Sequence, residues 1–452
     1  MTQPDILFIV LDTQRADRLG CYGYQRPTSP NLDQFADRAV VFEQAIAPAQ
    51  WTIPSHASMF TGLYPTAHQV TQSNQMLGAD VPHLVETLGK MGYETVGFCN
   101  NPLVGVLDNG FQRGFEQFYV YGGAFPERPH FRPDSKLSSL REQGQRLMHR
   151  IAHPIQNFFG RSELAFSISL HAWLTPLWAN FINFKGQNER SVGDLVHYLE
   201  RRDANTAETE QPLFLFLNLM ETHLPFYPPQ RFVDQMAPYM REETAARHAQ
   251  AQWNKEAYRW AAPLPDGLNE TEARVLSDLY DAEVAYQDSY LGRLLDYLRQ
   301  RPNADNTLTI IVGDHGDSLG EHNYFGHAFT AYQELIHVPL IMDWPAQFEP
   351  GERIATPVST RRVFHTMISA AGRLPAESTL SSTEVRALSL AEVVRGRDVE
   401  AGTAYAEIYP PQLRPRHRTP HPRPHRTISM PRHAPCHRAR QPQTHPIRRR
   451  PR

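Results

Sequence analysis

Leu308-Thr309-Ile310-Ile311-Val312-Gly313-Asp314-His315 is a short apolar run that stops on a carboxylate and an imidazole. A run of this length without polar alternation reads as a strand covered on both faces, the pattern of a parallel sheet sandwiched between helices. Two other segments repeat it. Ile6-Leu7-Phe8-Ile9-Val10-Leu11 ends at Asp12, and Leu213-Phe214-Leu215-Phe216-Leu217-Asn218-Leu219 leads through Met220-Glu221-Thr222 to His223. Residues 95–99 and 338–342 are further strand candidates. Helical patterns lie between the runs. One covers 83–91, and Leu276, Leu279, Tyr280, Val284, Leu291, Leu294, Leu295 and Leu298 form a 3.6-period stripe on a long helix. Alternating strands and helices predict an α/β fold whose central, mostly parallel sheet is flanked by helices. Such folds bind ligands beyond the carboxyl ends of their strands. Here those ends carry Asp12, His223, Asp314 and His315. One polar residue after a strand means little, whereas three strands ending in metal-type ligands make a constellation.

A second segment adds a nucleophile-type group. In Trp51-Thr52-Ile53-Pro54-Ser55-His56-Ala57-Ser58-Met59-Phe60-Thr61-Gly62 a hydroxyl stands at the mouth of a short helix. Pro54 suits the first turn, where its missing N–H costs nothing, and Gly62 suits the stop. Free N–H groups and a partial positive charge at a helix start favour an anion. Thr52 is therefore expected where a phosphate or sulfate binds. Taken by itself, the segment also reads as an ordinary Thr cap on a surface helix.

Composition bounds the rest. A chain of 452 residues with 41% hydrophobic and 21% charged residues is that of an ordinary folded protein with a large core. Three cysteines, Cys21, Cys99 and Cys436, are too few and too scattered for a disulfide framework or a Cys-rich zinc site. The first residues carry no basic region, and the apolar run that follows is too short for a signal peptide, so the expected location is cytoplasmic. Residues 411–452 hold twelve arginines and no Lys, Asp or Glu, so the preceding 410 residues carry about −15 against −3 for the whole chain. An acidic body does not look like a nucleic-acid binder.

Two stretches stand apart. Residues 131–185 read as an insertion, and 165–184 are rich in Phe, Trp, Leu and Ile but contain His171, Pro176, Asn180 and Asn183. A helical lid or packing element is the expectation there, with membrane-surface contact as the alternative. The Arg/Pro/His-rich tail at 411–452 cannot bury a core and is expected to be disordered. Those three residues dominate when a GC-rich coding sequence is read out of frame, and a frameshift is the expected origin of the tail. Just before it, 403–409 still reads like a strand.

The chemistry of the constellation follows from its donor atoms. Asp12 and Asp314 are hard oxygen ligands and His315 a borderline nitrogen ligand, a mixture that suits Ca, Mg, Mn or Zn without selecting among them. A divalent metal there would lower the pKa of a coordinated Thr52 hydroxyl and screen a charged substrate. His223, His322 and His327 are candidates for binding substrate oxygens or protonating a leaving group.

Taken together, these motifs resemble the sulfatase-like branch of the alkaline phosphatase superfamily. The resemblance runs from about Ile6 to Pro345. It rests on the stretch from Leu11 to Gly23, the Thr52 segment with Thr61-Gly62-Leu63-Tyr64-Pro65, and Asn218-Leu219-Met220-Glu221-Thr222-His223-Leu224-Pro225. The stretch from Tyr280 to Tyr286, Asp314-His315-Gly316 and His337-Val338-Pro339-Leu340-Ile341 complete it. It implies an alkaline-phosphatase/sulfatase-like sandwich, metal binding by Asp12, Asp314 and His315, Thr52 in the nucleophile position and also on the metal, and His223 on the transferred anion. His327 falls where many sulfatases have a sulfate-contacting lysine. Sulfatases of this branch carry Cys or Ser, oxidised to formylglycine, at the position of Thr52, followed by a motif whose arginine is His56 here. Threonine cannot give that aldehyde. Thr13 stands where many sulfatases have a further metal-binding Asp. Threonine is the nucleophile in the phosphodiesterase and phosphoethanolamine-transferase branches, which generally use two zinc ions, and the second set of zinc ligands is not evident.

The expected organisation is a catalytic α/β domain over 1–385, the start of a truncated C-terminal region over 386–410, and the tail, with the family's small C-terminal subdomain missing. The expected function is metal-dependent hydrolysis of sulfate or phosphate esters by Thr52, with His56, His223 and His327 assisting. Small-molecule, glycan or lipid esters are the expected substrates. Two other readings stay open: a phosphotransferase acting on lipid or glycan head groups, and an inactive remnant.

Overall fold

The computed structural model describes residues 2–123, 126–129, 185–205, 211–255 and 263–409. All three apolar runs form strands, β1 (Asp5–Leu11), β2 (Leu213–Leu219) and β3 (Thr307–Gly313). β1 lies between the other two and is parallel to both, with Leu11 opposite Leu219 on one side and Gly313 on the other. That register makes the three strands end at one level. Asp12 and Asp314, the residues that follow β1 and β3, therefore leave the sheet side by side.

Eight strands make up the sheet, in the order Arg353–Ile354, Val40–Phe42, Leu340–Asp343, β3, β1, β2, Glu94–Cys99, Gln117–Val120. Leu340–Asp343 is antiparallel to both of its neighbours, and the other pairings are parallel. The α/β architecture read from the sequence is thus the one observed.

Alternate residues of β1 feed two layers of core. Ile6, Phe8 and Val10 meet Ile53, Ala57 and Phe60 of α1 (Thr52–Thr61). Leu7, Ile9 and Leu11 meet Leu276, Leu279, Leu291 and Leu294 of α2 (Glu270–Gln300) on the other face. Each such side chain contributes about 1.5–3 kcal/mol on burial, so both helices are clamped to the strands that end at the site. The start of α2 is set by a capping box between Asn269 and Glu272.

Three local expectations change. Every residue of α1 is buried, its N-cap is Trp51, and no side chain of that N-cap caps the helix. This is no surface helix with an ordinary Thr cap; burial by both the sheet and the site loops takes precedence over local capping chemistry. Gly62 does end the helix, at φ 73°. The run 338–342 is split at Pro339, which lacks a ladder donor. Its first part, His337–Val338, joins a separate three-stranded sheet, and Leu340–Asp343 joins the large one. Residues 403–409 form no strand beyond a single bridge between Ala49 and Glu407.

The insertion, apart from Lys185, and the basic tail lie outside the described residues. No helix among the described residues is long and apolar enough to cross a membrane.

Candidate active site

Asp12, Asp314 and His315 meet as the strand register requires. Each offers one ligand atom, these atoms lie within 4.8 Å of one another, and all three residues are buried. The remaining atoms of each side chain are committed elsewhere. Asp314 Oδ1 accepts from the N–H groups of Thr13 at 3.2 Å and His315 at 2.8 Å, while its Oδ2 has no hydrogen bond. Asp12 Oδ2 accepts from the Asn101 amide, while its Oδ1 has none. His315 Nδ1 lies 2.9 Å from the Gly316 carbonyl, which can only accept, so Nδ1 carries the proton and Nε2 is left with a lone pair. Asp12 Oδ1 and Asp314 Oδ2 lie 3.9 and 3.5 Å from His315 Nε2, and two carboxylate oxygens converging on an imidazole lone pair fit a divalent cation.

Electrostatics agree with that donor set. Burial, then the charge of Asp314, pushes the Asp12 carboxyl well above its usual range. Burial also works against the Asp314 charge, but His315, His56 and the Thr13 N–H together hold that carboxyl below its usual value. Burial lowers His315 to about 4, against the pull of Asp314.

Helix α1 delivers the hydroxyl. Thr52 is its first residue, with Oγ1 at 3.3 Å from His315 Nε2. Ser55 Oγ donates to the Asp314 carbonyl at 2.6 Å and ties the first turn of the helix to the Asp314 loop. His56 is fully buried one turn below Thr52. Its Nδ1 lies 3.1 Å from the Thr52 carbonyl and 3.3 Å from Asp314 Oδ2, and its Nε2 lies 3.4 Å from the Asn218 amide. It therefore sits underneath the ligand set rather than facing incoming substrate.

His223 and His327 form the outer wall. Both are partly exposed, and their rings are 5.0 Å apart. The His327 ring is also 4.5 Å from that of His315. Burial, then the neighbouring His327, lowers His223 to about 3, and burial lowers His327 to about 4. His322 does not join them. It is exposed, stacked on Tyr332 at 3.9 Å between ring centroids, on the turn between Leu319 and Phe325.

Asn101, Asp317 and Arg15 are not assigned a role by the sequence, and Thr13 is marked there only as standing in place of a metal-binding Asp. Asn101 follows the strand Glu94–Cys99, and its position at a strand's carboxyl end was the available signal. Asp317 is fully buried and holds His327 Nδ1 at 3.1 Å; burial raises its carboxyl to about 7 against the pull of His223, His315 and Arg15. Arg15 bonds the Asp317 carbonyl, Asp17 and Glu321. Thr13 adopts φ 56°, a strained value for a β-branched residue. The strain turns its N–H onto Asp314 and its hydroxyl onto the Asp12 carbonyl at 2.7 Å.

Comparison with known proteins settles the family. The sulfatase family profile matches residues 4–373. The chain belongs to the sulfatase family. A protein of Escherichia coli K12 named as the uncharacterised sulfatase YidJ is 24% identical over 397 residues, covering 85% of this chain and 72% of its own. Among solved structures, BT4656 in complex with its substrate D-glucosamine-2-N,6-O-disulfate superimposes with a TM-score of 0.61 at 17% identity, over 90% of this chain and 84% of its own. The phosphonate monoester hydrolase of Agrobacterium radiobacter does so with 0.60 at 19% identity, over 90% and 80%. This sulfatase-family hydrolase therefore shares its fold with a phosphonate monoester hydrolase as well as with a sulfatase-type structure.

Proposed function

We propose that this sulfatase-family chain is a metal-dependent hydrolase of sulfate or phosphate esters that uses unmodified Thr52 as its nucleophile. The observation that carries the reading is the position of Thr52 Oγ1, 3.3 Å from His315 Nε2 at the start of a buried helix and beside two carboxylate oxygens that no hydrogen bond satisfies. A divalent cation held by Asp12, Asp314 and His315 supplies charge that favours the ionised hydroxyl and offsets the charge of the substrate anion.

The protein groups do the rest. The start of α1 aims backbone N–H groups at the anion. His223 and His327, at the exposed side of the cluster, hydrogen-bond substrate oxygens and serve the leaving alcohol. His56 keeps Asp314 and the first turn of α1 in register. Threonine cannot form the aldehyde on which sulfatases with Cys or Ser rely, which tilts the chemistry towards phosphoryl transfer. Likeness to BT4656 favours a small-molecule or glycan alcohol as the other half of the ester.

The test is metal-supplemented turnover of aryl sulfate, aryl phosphate and aryl phosphodiester substrates, each against Thr52→Ala. Phosphoester turnover lost in the variant supports the reading. Turnover that survives Thr52→Ala removes Thr52 as nucleophile. Absence of turnover in the metal-loaded parent defeats the enzymatic reading and favours an inactive remnant.

A further inference from the structure

Resting on the reading above, we propose that Lys185 and Glu283 are positioning residues: as a buried pair they clasp the loop that carries His223 and fix where its ring meets the substrate anion. The loop runs from the end of β2 to Tyr227 and has no helix or strand of its own. Its backbone groups must find partners on other elements. Before His223, the Met220 N–H donates to Asn188 Oδ1 at 2.8 Å, and the Thr222 hydroxyl donates to the Asp12 carbonyl at 2.6 Å. After it, the Phe226 N–H donates to Asn254 Oδ1 at 2.9 Å. Two further ties go to the pair. Lys185 Nζ donates to the Pro225 carbonyl at 3.2 Å, and the Tyr227 N–H donates to Glu283 Oε1 at 2.7 Å.

Lys185 Nζ closes the clasp by donating to the same Glu283 Oε1 at 2.7 Å. It also lies 3.8 Å from Glu221 Oε1, so one ammonium reaches the loop on both sides of His223. The Tyr290 hydroxyl steadies Glu221 from α2 at 3.1 Å. Glu283 stands on α2 as well, and that helix is packed against β1, so the clasp has a rigid base. The ring follows the loop: His223 Nδ1 lies 2.6 Å from the Leu224 carbonyl, one peptide before the carbonyl that Lys185 holds.

Stability alone does not account for this pair. The Glu283 side chain is 0% exposed and that of Lys185 14% exposed. Burial raises the Glu283 carboxyl against the pull of Lys185, and Glu283 Oε2 has no hydrogen bond. Apolar residues of similar volume commonly hold a fold as well as a buried charged pair does. What this pair adds is geometry, because its hydrogen bonds end on the backbone of a loop that carries a substrate-binding imidazole. Lys185 is also the last residue of the stretch 131–185, so the clasp joins the end of that insertion to the site.

The experiment titrates the metal-supplemented full chain with inorganic phosphate and with inorganic sulfate by calorimetry, so that binding is read without turnover. Lys185→Met should weaken binding of the preferred anion by about 10-fold, and Lys185→Arg should restore it to within about threefold. The metal concentration that gives half of the Tm gain should stay within about twofold of the parent, which general damage to the fold would not allow. Adding Lys185→Met to His223→Ala should cost less than about twofold further, because the clasp acts through that ring. If Lys185→Met does not fold, Glu283→Gln, which keeps an oxygen for the Tyr227 N–H, is carried through the same series. Unchanged anion affinity, a loss that persists in full in the His223→Ala background, an equal loss of metal affinity, or a parent that binds neither anion overturns the proposal. A parent without turnover that still shows anion binding and its coupling to His223 defeats the hydrolase reading and supports the clasp.

Discussion

Replacing Asp12 by Asn should stabilise the metal-free protein and, in the same variant, abolish its response to metal. Asp12 and Asp314 present ligand atoms within 4.8 Å of each other in a fully buried setting. Two unit charges at that separation repel by about 3.5 kcal/mol in an effective dielectric of about 20. Protonation of Asp12 relieves part of this, because burial and then Asp314 raise its carboxyl well above the usual 3.8. The folded, metal-free chain then binds a proton that the unfolded chain does not. Its stability falls as pH rises above about 4, up to the folded-state pKa. Asn keeps an oxygen for the Asn101 amide and carries no charge. A gain of about 1–3 kcal/mol at neutral pH is therefore expected without metal, together with a flatter fall of stability with pH. The assay is calorimetry of chelated parent and variant from pH 4 to 8, followed by addition of Ca, Mg, Mn or Zn. The parent should gain Tm with the cation it binds, by the logarithm of saturation, and the variant should not. A chelated variant less stable than the parent, or one that responds to metal as the parent does, would refute the reasoning.

Two further expectations rest on single contacts. Asn101→Ala removes the donor to Asp12 Oδ2 and leaves that oxygen free to swing; metal affinity should fall by about 10- to 100-fold, read as a shift in the concentration that gives half of the Tm gain. His83 stacks on Phe60 at 5.4 Å and 14° with neither ring nitrogen hydrogen-bonded, and burial lowers it to about 3 from its usual 6.5. Below about pH 6.5 the unfolded chain takes up a proton that the folded one refuses, so stability declines as pH falls. His83→Phe should match the parent at pH 8 and exceed it by about 2 kcal/mol at pH 5; equal acid sensitivity of the two would count against the assignment.

Much of the site was legible because its parts sit at strand ends. Asp12, Asp314 and His315 follow runs whose burial on both faces is written in their composition, and the rule that ligands gather beyond carboxyl ends brings them together. His56 was readable as a residue of the Thr52 segment, but not as one that lies beneath Asp314. That placement depends on the fold of α1 against the Asp314 loop, for which sequence spacing gives no signal. His322 looked equivalent to His327 in a motif dense in ligand-type residues. The hairpin register separates them, placing His327 beside Asp317 at its base and His322 on its exposed turn.

By itself the sequence determined the class of sheet, the carriers of the metal-type donors and the helix that presents Thr52. These depend on local patterns of apolar residues and on residues adjacent to them in the chain. Only the tertiary structure decided which donor atoms stay bare. Asp12 Oδ1 and Asp314 Oδ2 are unsatisfied because Asn101, Thr13 and His315 occupy the other two oxygens. Asn101 lies 89 positions from Asp12, and Thr13 lies 301 from Asp314. Hydrogen-bond completion between residues so far apart follows from the register of the strands between them, and register is a property of the packed sheet.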